Sequence, residues 1–206
     1  EFRLLTAGTY EVELKVRDND GFMSCGDVAK ATIVAIPNEK IHVELLWTNP
    51  EDPDETDEQG SDVDLHLVKM GPGAWFETPY DVYFRNPNNS GDGSAIWAPE
   101  SPSLDIDDRD GGGPENIQMN DPANCEWYAV GVHYYKQLFG TAYATVRIYV
   151  NGNLVYEALN KPLSRGGQFW DAARIHWDTG TVYQNDNVYE APPSGQAPDV
   201  TTGMSS

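Results

Sequence analysis

The chain has 206 residues, 33 of them acidic and 13 basic, for a formal charge of −20. Nucleic acid and anionic membrane surfaces both demand clustered Lys and Arg, so this balance excludes them as partners and favours divalent cations or polar, uncharged ligands. The length allows one good core plus an appendage, and no apolar run is long enough to span a membrane.

The chain opens with Glu1 and shows no signal-peptide pattern, which suggests a processed product or a piece of a longer protein. The two cysteines, Cys25 and Cys125, form no CxxC pair, and two thiols are too few for a disulfide-dense scaffold. With Gly 19, Pro 14, Tyr 11 and Trp 6, the composition is that of a secreted β-protein rich in turns. A single Cys25–Cys125 bridge would suit that setting, and two free buried thiols are the alternative.

Residues 9–17 (TYEVELKVR) alternate, with Tyr10, Val12, Leu14 and Val16 on one face, which predicts a half-buried strand. A turn follows at Asp18-Asn19-Asp20-Gly21, then a second strand over 29–36. Residues 41–47 (IHVELLW) alternate again, and 48–60 is an acidic, proline-punctuated loop. Residues 61–68 (SDVDLHLV) predict a strand with Val63, Leu65 and Leu67 inward and Asp62, Asp64 and His66 on the other face. A short aromatic strand is expected over 80–85, then a loop carrying the formal sequon Asn88-Asn89-Ser90. Residues 127–135 predict another strand, and 144–150, Asn151-Gly152 and 154–157 a tight hairpin. A helical turn is expected over 169–173 and a last short strand over 174–177. Residues 191–206 are too polar to order unless they dock, on their own domain or on a neighbouring copy.

The segment 104–117, LDIDDRDGGGPENI, concentrates Asp105, Asp107, Asp108, Asp110 and Glu115 around Gly111, Gly112 and Gly113. Close carboxylates repel unless a cation or full solvation relieves them, and oxygen ligands on a glycine-permitted loop suit Ca²⁺. The segment is not an EF-hand: with Gly111 at that loop's glycine, Ile106 and Ile117 occupy its first and last ligand positions. Further ligands must come from elsewhere, and Asp62 and Asp64 could complete the site. A solvated acidic turn beside an exposed strand is the plainer alternative.

His42, His66, His133 and His176 all fall in strand-like sequence. Zinc bound by His66, His133 and His176 is chemically possible, but their spacing gives it no support, and hydrogen bonds to nearby acids are expected instead. Trp75, Trp97, Trp127 and Trp170 could stack on sugars or fill a core; Trp75, Phe76 and Trp97, in loop-like sequence, are the surface candidates. GxSxG, HExxH and phosphate-loop motifs are all missing, so a non-enzymatic protein is expected.

The run GTYEVELKVRDNDG resembles the last hairpin of a PKD domain, an immunoglobulin-like β-sandwich of bacterial surface proteins, through Gly8, Tyr10, Val12, Leu14, Val16, Asp18 and Gly21. Residues 37–180 are similar to a β-sandwich module that follows PKD domains in secreted bacterial proteins. That likeness rests on IHVELLW, SDVDLHL, LDIDDRDGGGPENI, YAVGVHYY and ATVRIYVNGNLVYE. The resemblance implies an extracellular or cell-surface, non-catalytic module.

The expected architecture is all-β. A PKD-like hairpin (1–36) precedes a β-sandwich of jelly-roll or immunoglobulin-like type (37–190) and a polar tail (191–206). The expected role is a calcium-stabilised structural module of a bacterial surface assembly. It would contact other copies of itself, as in a filament, or neighbouring surface proteins. A calcium-dependent carbohydrate-binding or adhesion module is the alternative.

Overall fold

The structure is a computed structural model that describes residues 4–24, 28–55, 57, 59–87, 97, 99–109 and 111–199. It divides into two compact units, residues 1–37 and 38–206. In the first, β1 (Gly8–Leu14) and β2 (Ala29–Ala35) form an antiparallel hairpin, with Tyr10 opposite Ile33. The strands lie where the alternation places them. Their apolar face is not half-buried as expected: Val12, Leu14, Val16 and Ile33 are exposed. Two strands have no second layer of their own to bury against.

The second unit is a β-sandwich. Its strands are β3 (Ile41–Thr48), β4 (Asp62–Lys69), β5 (Asp81–Val82), β6 (Ser103–Leu104), β7 (Glu115–Met119) and β8 (Trp127–Lys136). They continue with β9 (Ala142–Val150), β10 (Asn153–Leu163), β11 (Phe169–His176) and β12 (Thr181–Tyr189). One sheet runs β10-β9-β3-β7-β6 and the other β12-β11-β8-β4-β5, with every pairing antiparallel. The inward residues read from sequence, Ile41, Val43, Leu45 and Trp47 of β3 with Val63, Leu65 and Leu67 of β4, all enter one buried core between the sheets. Asn151 and Gly152 both take positive φ, 49° and 76°, as a tight hairpin between β9 and β10 requires.

Two expectations need correction. Residues 169–173 are strand, not helix, and belong to β11. Nor is the strand near 174–177 the last, because β12 follows it. The polar tail docks on its own unit as far as Asp199: Trp75 N–H donates to the Gln196 carbonyl (3.1 Å), and Gly195 N–H to the Trp75 carbonyl (2.9 Å).

The β12-β11-β8-β4-β5 sheet is covered on its outer face as well. A second apolar cluster gathers Val68, Met70, Trp75, Ala129 and Phe169 there. Gly131 of β8 makes this layer possible. A Cβ at Gly131 would stand 2.9 Å from the Trp75 ring and collide with that of Phe169. Gly131→Ala should therefore destabilise the protein by about 1–3 kcal/mol through overpacking, measurable as a lower urea midpoint at unchanged slope.

Trp75 and Trp97 are 1% and 2% exposed, so neither is the surface platform expected for sugars; Phe76 is partly buried beside the outer cluster. Cys125 is a free, exposed thiol, while Cys25 lies outside the described residues. The Asn88-Asn89-Ser90 sequon also lies outside them. No helix among the described residues is long and apolar enough to cross a membrane.

Candidate metal centre

β4 carries the site because both of its faces are covered. Asp62, Asp64 and His66 alternate with the core residues, as the period of two requires, but they are not solvated. Their exposures are 4%, 1% and 0%. β5 pairs only with Leu67 and Val68, so the first half of β4 is left open on that edge.

Glu115 closes the gap. It starts β7 in the opposite sheet and shares its parity with the core residues Ile117 and Met119. Its side chain therefore points into the sandwich, where it is fully buried. Its Oε2 accepts the Leu65 backbone N–H at 2.7 Å, satisfying the open edge of β4. The glycine run delivers the chain to this point. Trp47 N–H donates to the Gly112 carbonyl (3.2 Å). Gly113 has φ 79°, and a Cβ there would lie 2.9 Å from the Leu45 carbonyl, so only glycine fits this approach to β3.

Carboxylate oxygens of Asp64, Asp107 and Glu115 lie within 4.8 Å of one another. Asp62 Oδ1, Asp64 Oδ2 and Glu115 Oε1 are buried with no hydrogen-bond partner. Burial is the first cause that pushes Glu115 well above its ordinary range, and the charges of Asp64, Asp107 and Asp62 add to it; the Leu65 N–H opposes. Burial, then Asp64 and Asp107, raises Asp62 to about 7, with Lys136 and Arg109 opposing. Asp107 is raised by burial and Asp64.

Other buried acids have cationic or imidazole partners. Glu44 meets Arg147 at 3.3 Å, Glu100 meets Lys69 at 2.7 Å, Asp171 is clasped by Arg174, and Asp81 meets His66 at 2.8 Å. The closest such contact of the Asp62–Asp64–Glu115 group, among the described residues, is the 3.4 Å approach of His133 to Asp64.

The expected ligand set is thereby divided. Asp107 and Glu115 join Asp64, and Asp62 stands at the edge of the cluster. Asp108 lines an open groove with Asp62, Asp107, Arg109 and Lys136. Asp105 lies outside the cluster: its N–H bonds the Asn116 carbonyl, and its charge acts on His42. Asp110 lies outside the described residues. Of the histidines, His66 and His133 stand beside the acids, whereas His176 contacts Thr179 and Trp127. Asp81 was missed because a two-residue strand in aromatic loop sequence carries no pattern that marks it.

No protein family and no curated protein matches the chain. A solved structure titled as the unknown-function protein SAV2460 aligns with 76% of this chain and 94% of its own. The identity is 16% and the TM-score 0.45.

Proposed function

We propose that this protein is a non-enzymatic, extracellular β-sandwich module whose fold is completed by Ca²⁺ bound between its two sheets. The observation that carries the reading is the buried Glu115 carboxylate, whose Oε1 has no hydrogen-bond partner, beside Asp64 and Asp107. Calcium binds oxygens at 2.3–2.6 Å, so ligands on opposite sides of one ion stand about 4.6–5.2 Å apart. One oxygen from each of the three lies within 4.8 Å of the others, close enough to share such a shell. Glu115 comes from one sheet, Asp64 from the other and Asp107 from the loop between β6 and β7, so one ion would fasten all three. The extracellular setting and the surface-assembly role rest on the sequence resemblance. The sugar-binding alternative loses the platform proposed for it, since Trp75 and Trp97 are buried. The tail docks on its own sandwich, so what favours self-association is the exposed apolar face of the β1–β2 hairpin.

Calorimetric titration of chelator-treated protein with CaCl₂ tests the proposal. Saturable binding is expected, weakened at least tenfold by Asp107→Asn, whose half-exposed side chain is not part of the core. Absence of binding in the unaltered protein would sink the reading.

A further inference from the structure

We propose that Asp64, His66 and His133 form a second metal centre, of nitrogen-rich character, suited to a zinc-type transition-metal ion. The backbone register assembles it. Asp64 of β4 stands directly opposite His133 of β8, and His66 is two residues further along β4 on the same face. One ligand atom from each of the three lies within 4.8 Å of the others, and all three residues are buried.

The hydrogen bonding selects the tautomer a metal needs. Asp81 Oδ2 accepts the Phe76 backbone N–H at 2.6 Å and also meets His66 Nδ1 at 2.8 Å. A carboxylate only accepts, so His66 carries its proton on Nδ1 and presents a bare lone pair on Nε2. That Nε2 is buried and has no partner. A carboxylate holding the far nitrogen of a histidine is the arrangement that orients imidazole on a metal. His133 Nδ1 and Asp64 Oδ2 are likewise buried without hydrogen bonds, 3.4 Å apart. Each residue of the triad thus carries one buried, unsatisfied atom, among aromatic rings. Tyr83 stacks on His66 at 4.7 Å between ring centroids, with Phe76 at 4.5 Å and Phe169 at 5.4 Å. Those rings hold the imidazoles in place.

The donor set separates this centre from the calcium cluster. Imidazole favours Zn²⁺ and its neighbours over Ca²⁺, which takes oxygen. Zinc bonds of about 2.0–2.1 Å place tetrahedral ligands roughly 3.4 Å apart, the separation at which His133 Nδ1 and Asp64 Oδ2 already stand. Asp64 belongs to both clusters and would bridge the two ions through its carboxylate.

The test uses the whole chain, stripped with EDTA and then dialysed into excess CaCl₂. One equivalent of ZnCl₂ is added, and retained zinc is measured by mass spectrometry after desalting. Close to one zinc per chain is expected. His133→Gln and His66→Gln should each lose most of it. Asp81→Asn, which alters the support of His66 and no residue of the triad, should weaken binding about 10-fold. Asp107→Asn, outside this triad, should retain zinc even where calcium binding fails, so the two sites are judged separately. Co²⁺ in place of zinc should give the visible bands of a tetrahedral ion, missing in His133→Gln. Near-ultraviolet circular dichroism confirms that each variant is folded. No zinc retained by the unaltered protein, or equal retention by a folded His133→Gln, would overturn the proposal.

Discussion

Chelator-treated protein should melt about 5–10 °C below the same protein in excess Ca²⁺. At a free concentration 100 times the dissociation constant, binding stabilises by about 2.7 kcal/mol, and a domain of this size shifts about 2–4 °C per kcal/mol. Glu115→Gln should invert the chelator result. The amide keeps the shape and an oxygen for the Leu65 N–H but removes a desolvated charge. The variant should therefore melt higher than the unaltered protein in EGTA and gain little from Ca²⁺.

The pH dependence follows from the same groups. Asp62 is raised from 3.8 to about 7, and Glu115 is raised well above 4.5. Between those values the folded state holds protons that the unfolded chain has released. Without calcium, stability should fall as pH rises from about 4 through 7. Calcium needs the ionised carboxylates, so its stabilising increment should be largest above pH 7 and vanish towards pH 4. Calorimetry across that range, with and without Ca²⁺, checks both slopes. Coincident midpoints at pH 7.5 would contradict the site.

Arg174→Ala should cost about 3–5 kcal/mol, the loss expected when one partner of a buried ion pair is removed. Residues three apart on a regular strand face opposite ways. In β11 Ala172 is an extra residue against β8, since Asp171 pairs with Gly131 and Ala173 with Val130, so Asp171 and Arg174 share the outer face. There Arg174 is 3% exposed and Asp171 fully buried. Nη1 and Nη2 both donate to the carboxylate, Nη2 at 2.7 Å. Nε donates to the Asp199 carbonyl at 2.9 Å, fixing the tail. Truncation should thus do two things: lower the melting temperature, and open the chain after about residue 190 to limited proteolysis. The paired change Asp171→Leu with Arg174→Met should recover most of the melting temperature, since it leaves no buried charge, but not the protection of the tail. Unchanged stability of Arg174→Ala would refute the ion pair's role.

The two-residue period of IHVELLW, SDVDLHLV and WYAVGVHYY was enough to place three central strands and to choose their inward faces. Backbone geometry sends alternate side chains opposite ways whatever the surroundings. The same rule put Asp62, Asp64 and His66 together, and the density of acids around Gly111 to Gly113 marked the loop that supplies Asp107 and Glu115. Sequence could not show that the polar face of β4 is buried. That depends on Trp75, Phe169 and the tail closing over it, which local pattern does not encode. It could not distinguish Glu115, inward and fully buried, from Asp105, whose charge acts on His42, because the difference is the direction of a side chain after a glycine turn. β12 was hidden because TVYQNDNVY is mostly polar and its strand is held by pairing with β11 alone. The pairing of His66 with Asp81, and of Asp64 with His133, joins residues 15 and 69 positions apart in the chain. Separations of that kind are set by strand register, and register is decided only when both sheets close on a common core.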